Sequence, residues 1–324
     1  MELKNFDMMK IAKRIIEGER IERGDNINLL LEADLKELQE GAHEIQNHFC
    51  GNHIDLCTII NGKSGRCGEN CKYCAQAACH KTGIEEYDFL PKEEIYRHAL
   101  INQNAGVNRF SIVTSGRALS GKDFDKAIEA YEFLHGKLSI DLCASHGILT
   151  REQFKKLKAA GVTSYHHNIE TSKRFFPYIC TSHTYDDRIN TIKIAQSEGF
   201  NVCSGGIIGM GETFEDRIDM AISLHELNIQ SIPINSLMPV KGTKLENQKQ
   251  LSADEILRTV AIFRYINPTA NIRLAAGRKL LPENGATAFK YGASASITGD
   301  MLTTSGTTII EDMKILERLG LSNK

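Results

Sequence analysis

No apolar run in the 324 residues approaches the roughly 18–20 that a membrane span needs, so a membrane-spanning protein is not expected. Charge of one sign is not in excess. The formal net charge of −2 gives no electrostatic reason to expect nucleic acid as a partner. The N-terminal Met1-Glu2-Leu3-Lys4-Asn5 lacks the apolar core of a signal peptide. No internal repeat or low-complexity linker divides the chain. Thiols are what it does have. Nine cysteines, an odd number, with no export signal argue against a disulfide framework. They suggest a reducing cytoplasm and metal or redox work.

Hydrophobic content of 41 % and charge of 25 % are those of a soluble globular protein. The length is ordinary for one α/β barrel. Residues 1–50 read as polar helices, with Ile11, Ile15 and Ile16, then Leu35, Leu38 and Ile45, at helical spacing. They are expected to form an N-terminal helical cap. From residue 54 onward the chain alternates. Strands are expected over 54–60, 109–114, 138–144, 164–170, 201–208, 231–240, 271–276 and 295–302. Helices are expected near 92–104, 122–135, 151–160, 185–198, 214–227, 253–266, 283–291 and 308–319. Thr150 with Gln153, and Ser252 with Glu255, read as capping boxes. Gly136, Gly161 and Gly199 sit where helix ends favour a left-handed residue. Eight strand–helix pairs in residues 51–324 predict an α/β fold, a (β/α)8 TIM-type barrel with an N-terminal helical extension. A doubly wound open sheet is the alternative.

Within this pattern, Cys67-Gly68-Glu69-Asn70-Cys71-Lys72-Tyr73-Cys74 spaces three cysteines C-x3-C-x2-C, with an aromatic before the third. Thiolates are the soft ligands of iron–sulfur clusters. Three of them leave one corner of a four-iron cluster open to a ligand that is not protein. Zinc and incidental thiols are the other readings, but no second C-x2-C knuckle follows at zinc-finger distance. Strand ends elsewhere hold Ser111, Cys143, His167, Asn168, Glu170, Cys203, Asn235 and Arg273. Buried polar groups need partners, so their recurrence predicts a polar-lined cavity at the C-terminal ends of the strands.

The cysteine signature resembles that of the radical S-adenosylmethionine enzymes. In that superfamily the open iron binds S-adenosylmethionine, and reduction releases a 5′-deoxyadenosyl radical. Gly205-Gly206-Ile207-Ile208-Gly209-Met210-Gly211-Glu212 is similar to its G-x-I-x-G-x-x-E pattern beside the adenosine. Lys63-Ser64-Gly65, Ala75-Gln76, Thr184-Tyr185 with Arg188, Val202-Cys203-Ser204, Pro233-Ile234-Asn235, Val240-Lys241-Gly242-Thr243, Arg273-Leu274-Ala275-Ala276-Gly277-Arg278 and Leu302-Thr303-Thr304 resemble the biotin synthase family more narrowly. Tyr165-His166-His167-Asn168-Ile169-Glu170 is similar to that family's Y-N-H-N-L-D run. Glu replaces Asp and His166 replaces an asparagine.

That resemblance implies conversion of dethiobiotin to biotin. The implied S-adenosylmethionine contacts are Tyr73, Asn168, Glu170, Arg188, Gly205, Ile207, Gly209 and Glu212. The implied substrate contacts are His167, Asn168 and Asn235. It also implies a second, auxiliary cluster that supplies sulfur, usually a two-iron cluster on three cysteines and an arginine. Cys143, Cys203 and Arg273 fall at three of those positions, and Ser111 at the fourth. Serine is a harder, weaker iron ligand than thiolate. The expected set is therefore Cys143, Cys203 and Arg273 with Cys180, Cys79 or Ser111, and a four-iron cluster is an open alternative. Cys50 and Cys57 are read as structural. His146 and most other histidines outside the 165–170 run are read as surface or supporting residues. Further implied are a flavodoxin or ferredoxin reductant, iron–sulfur assembly proteins, a homodimer and a cytoplasmic location. Two alternatives stand beside this reading: a radical enzyme of the hydrogenase-cofactor maturase type, and a non-catalytic iron–sulfur scaffold or electron carrier.

Overall fold

Short β-branched stretches alternating with capped helices close, in the computed structural model, into a ring of parallel strands with helices outside. The structure describes residues 7–299, 302 and 306–323. Three helices come first: α1 (Met8–Ile16), α2 (Asn28–Glu32) and α3 (Leu35–Cys50). There follow β1 (Asp55–Lys63), α4 (Lys92–Asn104), β2 (Arg109–Thr114), α5 (Gly121–His135), β3 (Asp141–Ser145), α6 (Arg151–Ala159) and β4 (Ser164–His166). The second half holds α7 (Phe176–Ile179), α8 (Tyr185–Ser197), β5 (Asn201–Cys203), β6 (Gly206–Ile208), α9 (Phe214–Glu226), β7 (Ser231–Ser236), α10 (Ala253–Ile266) and β8 (Asn271–Leu274). Two 3-10 helices, Arg278–Leu280 and Pro282–Tyr291, lead to β9 (Ala295–Ile297) and α11 (Ile309–Leu319).

Each named strand pairs in parallel with its neighbours, in the order β5-β4-β3-β2-β1-β9-β8-β7-β6. β5 and β6 are two halves of one stave. Cys203 of β5 also pairs with Ser231 of β7, which closes the ring at eight staves. The stave breaks where two glycines let backbones come close. A Cβ on Gly205 would lie 2.0 Å from the Pro233 carbonyl oxygen, and one on Gly206 would lie 2.3 Å from that of Glu170. No side chain fits there.

Both capping boxes form as the sequence indicates. Gly161 and Gly199 are left-handed, but Gly136 is not; its φ of −73° continues the right-handed turn of α5. The fourth strand ends at His166 rather than residue 170, and the chain meets the next stave again only at Glu170, which bridges Gly206 with φ +70°. The helix expected near 283–291 is 3-10, kinked by left-handed backbone at Glu283, Asn284 and Gly285. The short α7 was not anticipated. Thr303 and Thr304, and residues 300 and 301 of the expected last strand, lie outside the described residues.

The N-terminal helices pack against the barrel wall. α3 buries Leu38, Ala42 and Ile45. Its Gly41 sits where a Cβ would meet the Tyr265 hydroxyl at 1.8 Å, so helix and ring touch closely. That hydroxyl donates to the Met8 carbonyl at 3.1 Å. Covered in this way, α10 is buried continuously from Thr259 to Ile266. Arg264 lies within this span. Its guanidinium is satisfied by the carbonyls of Gly292, Pro268 and Ala270 and the Ser294 hydroxyl. Among the described residues, no helix is long and apolar enough to cross a membrane.

Candidate functional site

β1 runs into the cysteine segment, whose turn requires left-handed backbone at Gly65 and Arg66. The segment is held by its own hydrogen bonds. Cys67 N donates to Gln76 O at 3.0 Å, Ala78 N to Cys67 O at 2.8 Å and Cys74 N to Cys71 O at 3.1 Å. Gly65 N donates to the Gln76 side chain at 3.0 Å. Lys72 N reaches Ile179 O of α7 at 2.9 Å, which ties the segment to the far side of the barrel mouth. Cys67, Cys71 and Cys74 all line one outer compartment of about 210 Å³, with Tyr73, Glu170 and Arg188. Their sulfurs are not close enough for one ion. Among the described residues, the only three potential ligands within 4.8 Å of one another are Cys71, Cys180 and His183. Thiolates sharing one zinc at bonds of ~2.3 Å would sit within about 4 Å of each other. The wider spacing fits a cluster.

Opposite the cysteines stands the end of the fourth stave. Glu170 N donates to Gly205 O at 3.1 Å, and Ile207 N donates to Glu170 O at 2.8 Å. Arg188 lies 3.3 Å from the Glu170 carboxylate and donates to the Asn168 carbonyl at 2.9 Å. Asn168 accepts from Gly205 N at 3.0 Å and donates to Glu170 at 3.3 Å. Glu170 and Asn168 also line a second, inner compartment of about 320 Å³. Tyr73, Cys74, Gln76, His166 and Leu302 border both spaces, so the two compartments adjoin.

The glycine motif divides in two. Ile207 lines the inner compartment, but Gly205, Gly209 and Glu212 border neither space. Glu212 is buried and turned inward on its own loop. It accepts from Gly209 N, Met210 N and Arg217 Nε, each at 2.7 Å. Three donors already meet its carboxylate, which shapes the turn. His167 borders the outer compartment only. Burial, and then the Arg188 charge, hold its imidazole well below the ordinary histidine value, so the ring is neutral.

The inner compartment is lined by Cys143, Cys203, Arg273, Ser111 and Asn235, as the strand pattern suggested. Cys57, read as structural, also lines it. Its thiol accepts from Arg273 Nη1 at 3.3 Å. Arg273 is fully buried and anchored, with Nη2 on Asp55 at 2.7 Å and Nη1 on Asp55 O at 3.0 Å and Ser296 O at 3.1 Å. Burial pushes Asp55 up, but the Arg273 and Arg109 charges outweigh it and hold the carboxyl below its usual value. Burial, with Cys203 close by, pushes the Cys143 thiol up to about 12. Asn235 donates to Gly206 O at 3.1 Å and accepts from Ala276 N at 3.2 Å. The Ser111 hydroxyl is buried without a hydrogen-bond partner.

Two candidate auxiliary ligands are elsewhere. Cys180 Sγ lies 3.6 Å from Cys71 Sγ, behind the outer cysteines, and borders neither compartment. Cys79 is exposed. Neither joins Cys143 and Cys203, because the chain after β4 and the end of the cysteine segment both fold over the mouth rather than into the ring. Sequence reasoning missed Cys57, Asp55 and Arg109. Strand parity was the signal: Ser111 faces inward, so Arg109, two residues earlier, does as well, and Cys57 is its register partner on β1.

Comparison with known proteins fits this geometry. The sequence model of the Radical SAM superfamily matches residues 63–224, and that of the Biotin and Thiamin Synthesis associated domain matches residues 233–322. The biotin synthase of Alkaliphilus metalliredigens is 59 % identical over 97 % of this chain and 99 % of its own length. That of Clostridium beijerinckii is 58 % identical over 97 % and 100 %. The chain belongs to the biotin synthase family. Beyond biotin synthases, two solved structures share the fold. Methylornithine synthase is 18 % identical with a TM-score of 0.84 over 97 % of both chains. A maturase of the [FeFe]-hydrogenase is 20 % identical with a TM-score of 0.84, over 98 % of this chain and 76 % of its own. The donors fit the two clusters that biotin synthase membership implies: three separated thiols at the mouth, and thiols beside a fixed arginine within.

Proposed function

We infer that this chain inserts sulfur between two carbons of dethiobiotin to give biotin, using S-adenosylmethionine, a [4Fe-4S] cluster with an open iron, and an auxiliary iron–sulfur cluster. The observation that carries the reading is a pair of adjoining compartments, the outer one lined by the C-x3-C-x2-C thiols and the inner one by Cys143, Cys203 and Arg273, in a chain 59 % identical to a biotin synthase. When bound, the clusters and the nucleoside supply the electron, the hydrogen-abstracting radical and the sulfur. The protein binds, orients and keeps water out.

Cys67, Cys71 and Cys74 hold the outer cluster in this reading. Tyr73, Glu170 and Arg188 line the space for the nucleoside, Glu170 facing the ribose hydroxyls, and Ile207 reaches it from the inner side. The backbone of Gly205 and Gly209 gives that wall its shape, and Glu212 supports it. Asn168, which borders both compartments, touches nucleoside and substrate together. Asn235 has an amide suited to a neutral ureido ring, since it offers donor and acceptor. His167 stays neutral beside them and adds no charge to the substrate space. No side-chain acid or base is required.

Residues 1–50 serve as a cap and 51–324 as the catalytic barrel. A flavodoxin or ferredoxin as reductant, iron–sulfur assembly proteins that restore the sulfide, a homodimer and a cytoplasmic location complete the reading; each rests on the family alone. The maturase alternative rests only on a shared fold. A carrier would have no use for an inner cavity of about 320 Å³ beside its cysteines.

The test is anaerobic incubation of the reconstituted protein with dethiobiotin, S-adenosylmethionine and a strong reductant, followed by mass spectrometry. Biotin should appear, with one 5′-deoxyadenosine for each of the two C–H bonds broken. Deoxyadenosine without biotin would point to a different radical reaction. Neither product would leave only a carrier.

A further inference from the structure

We propose that Cys57 is the third thiolate of the auxiliary-cluster site, replacing the ligand that Ser111 does not supply. This rests on the reading above that a sulfur-supplying cluster occupies the inner compartment. The two cysteines expected there, Cys143 and Cys203, both line it, but neither Cys180 nor Cys79 comes near. Two thiols and one hydroxyl make a poor iron site, because an alcohol is a hard ligand for a soft cluster. Cys57 supplies what is missing.

Its placement follows from the ladder. On β1, Cys57 pairs with Arg109 and Ile59 pairs with Ser111. On the next strand, Ser111 pairs with Cys143. Cys57 therefore faces the same space as Ser111, one pleat deeper and one strand over, a shift of about 8 Å. Arg273, the remaining expected ligand, comes within 3.3 Å of the Cys57 sulfur. Its other donors are fixed on Asp55 and Ser296, so the guanidinium and the thiol present themselves to the cavity as a unit. A cysteine kept only to fill space gains nothing from a buried guanidinium 3.3 Å from its sulfur; an apolar side chain of that size would serve better.

The test uses the full chain with Cys67, Cys71 and Cys74 all changed to Ala, so that only the auxiliary site can bind iron. After anaerobic reconstitution, iron and acid-labile sulfide are counted, and the visible absorption and Mössbauer spectra are recorded. The background protein should hold a cluster. Adding Cys57→Ala should remove its iron and sulfide, and adding Ser111→Cys to that should restore them. Circular dichroism checks that each variant is folded, and rescue by Ser111→Cys excludes general damage. If Cys57→Ala keeps the background's iron, sulfide and spectra, the assignment of Cys57 is wrong while the auxiliary site stands. If the background itself binds no iron, the auxiliary-cluster reading falls, and this assignment with it.

Discussion

Cys180 shows how little a residue's chemistry says without its neighbours. From sequence it is an extra thiol past the fourth strand, a reasonable substitute for a missing ligand. Its contacts are with Asn70, Cys71, Ser182 and His183, two of them more than a hundred residues away in the chain. Nothing local encodes such pairings. Glu170 and Asn168 were legible for the opposite reason: they stand in one short run, Tyr165 to Glu170, whose resemblance to a family pattern suggests their roles. Cys57 lay between these cases. Its strand was recognised, but which face it used could be read only from the parity of Ser111 on the neighbouring strand. Because Cys180 borders neither compartment, Cys180→Ala should leave the iron and sulfide content of the reconstituted protein unchanged. Its stability cost should be on the order of 1 kcal/mol. Cys71→Ala should lose the outer cluster. Iron lost from Cys180→Ala would show that the thiol swings into one of the compartments when metal is bound.

At the scale of elements, the sequence told existence better than extent. Strand and helix order was legible because hydrophobic period and capping boxes are local signals. Strand ends were not. The fourth strand was read four residues too long, since Tyr165 to Glu170 has the composition of a strand and nothing in it announces that the ladder stops at His166 and returns only as a single bridge at Glu170. The fifth was read as continuous, since nothing in Val202-Cys203-Ser204-Gly205-Gly206 announces a change of partner. That change positions the site. Gly206 sits against Glu170, so the residue facing the nucleoside space is held by a glycine on the next stave. Gly206→Ala should force the two backbones apart. A cost of about 1–3 kcal/mol is expected from overpacking. Displacement of Glu170 should also weaken S-adenosylmethionine binding, readable by calorimetry. Gly199→Ala is the control. Unlike Gly206 it is left-handed, and its added methyl meets nothing nearer than 3.8 Å. It should lower the melting temperature without changing affinity.

For the molecule as a whole, buried histidines at and behind the strand ends that stay uncharged lower stability in acid. His146, read from sequence as a surface or supporting residue, is fully buried between Thr114 and Tyr131. Tyr131 donates its hydroxyl hydrogen to the Cys143 carbonyl. The bonding pattern therefore assigns the ring proton to Nε2, facing the Tyr131 oxygen, and leaves Nδ1 to accept from Thr114. The ring is neutral, and burial pushes its pKa down to about 3 from 6.5. Burial lowers His166 and His167 in the same direction. Between these limits the unfolded chain takes up a proton that the folded chain refuses. Stability therefore falls as pH drops below about 6.5, and this contribution levels off only near pH 3. One such histidine costs at most about 1.4 kcal/mol per pH unit across the window. His146→Gln keeps a neutral donor and acceptor without the titration. Its unfolding free energy, measured in urea at several pH values, should decline less steeply than that of the unaltered protein, by up to that slope. Parallel lines for the two proteins would mean that the folded state opens enough to protonate the ring. The packing of α5 against the ends of β2 and β3 would then be far looser than its hydrogen bonds imply.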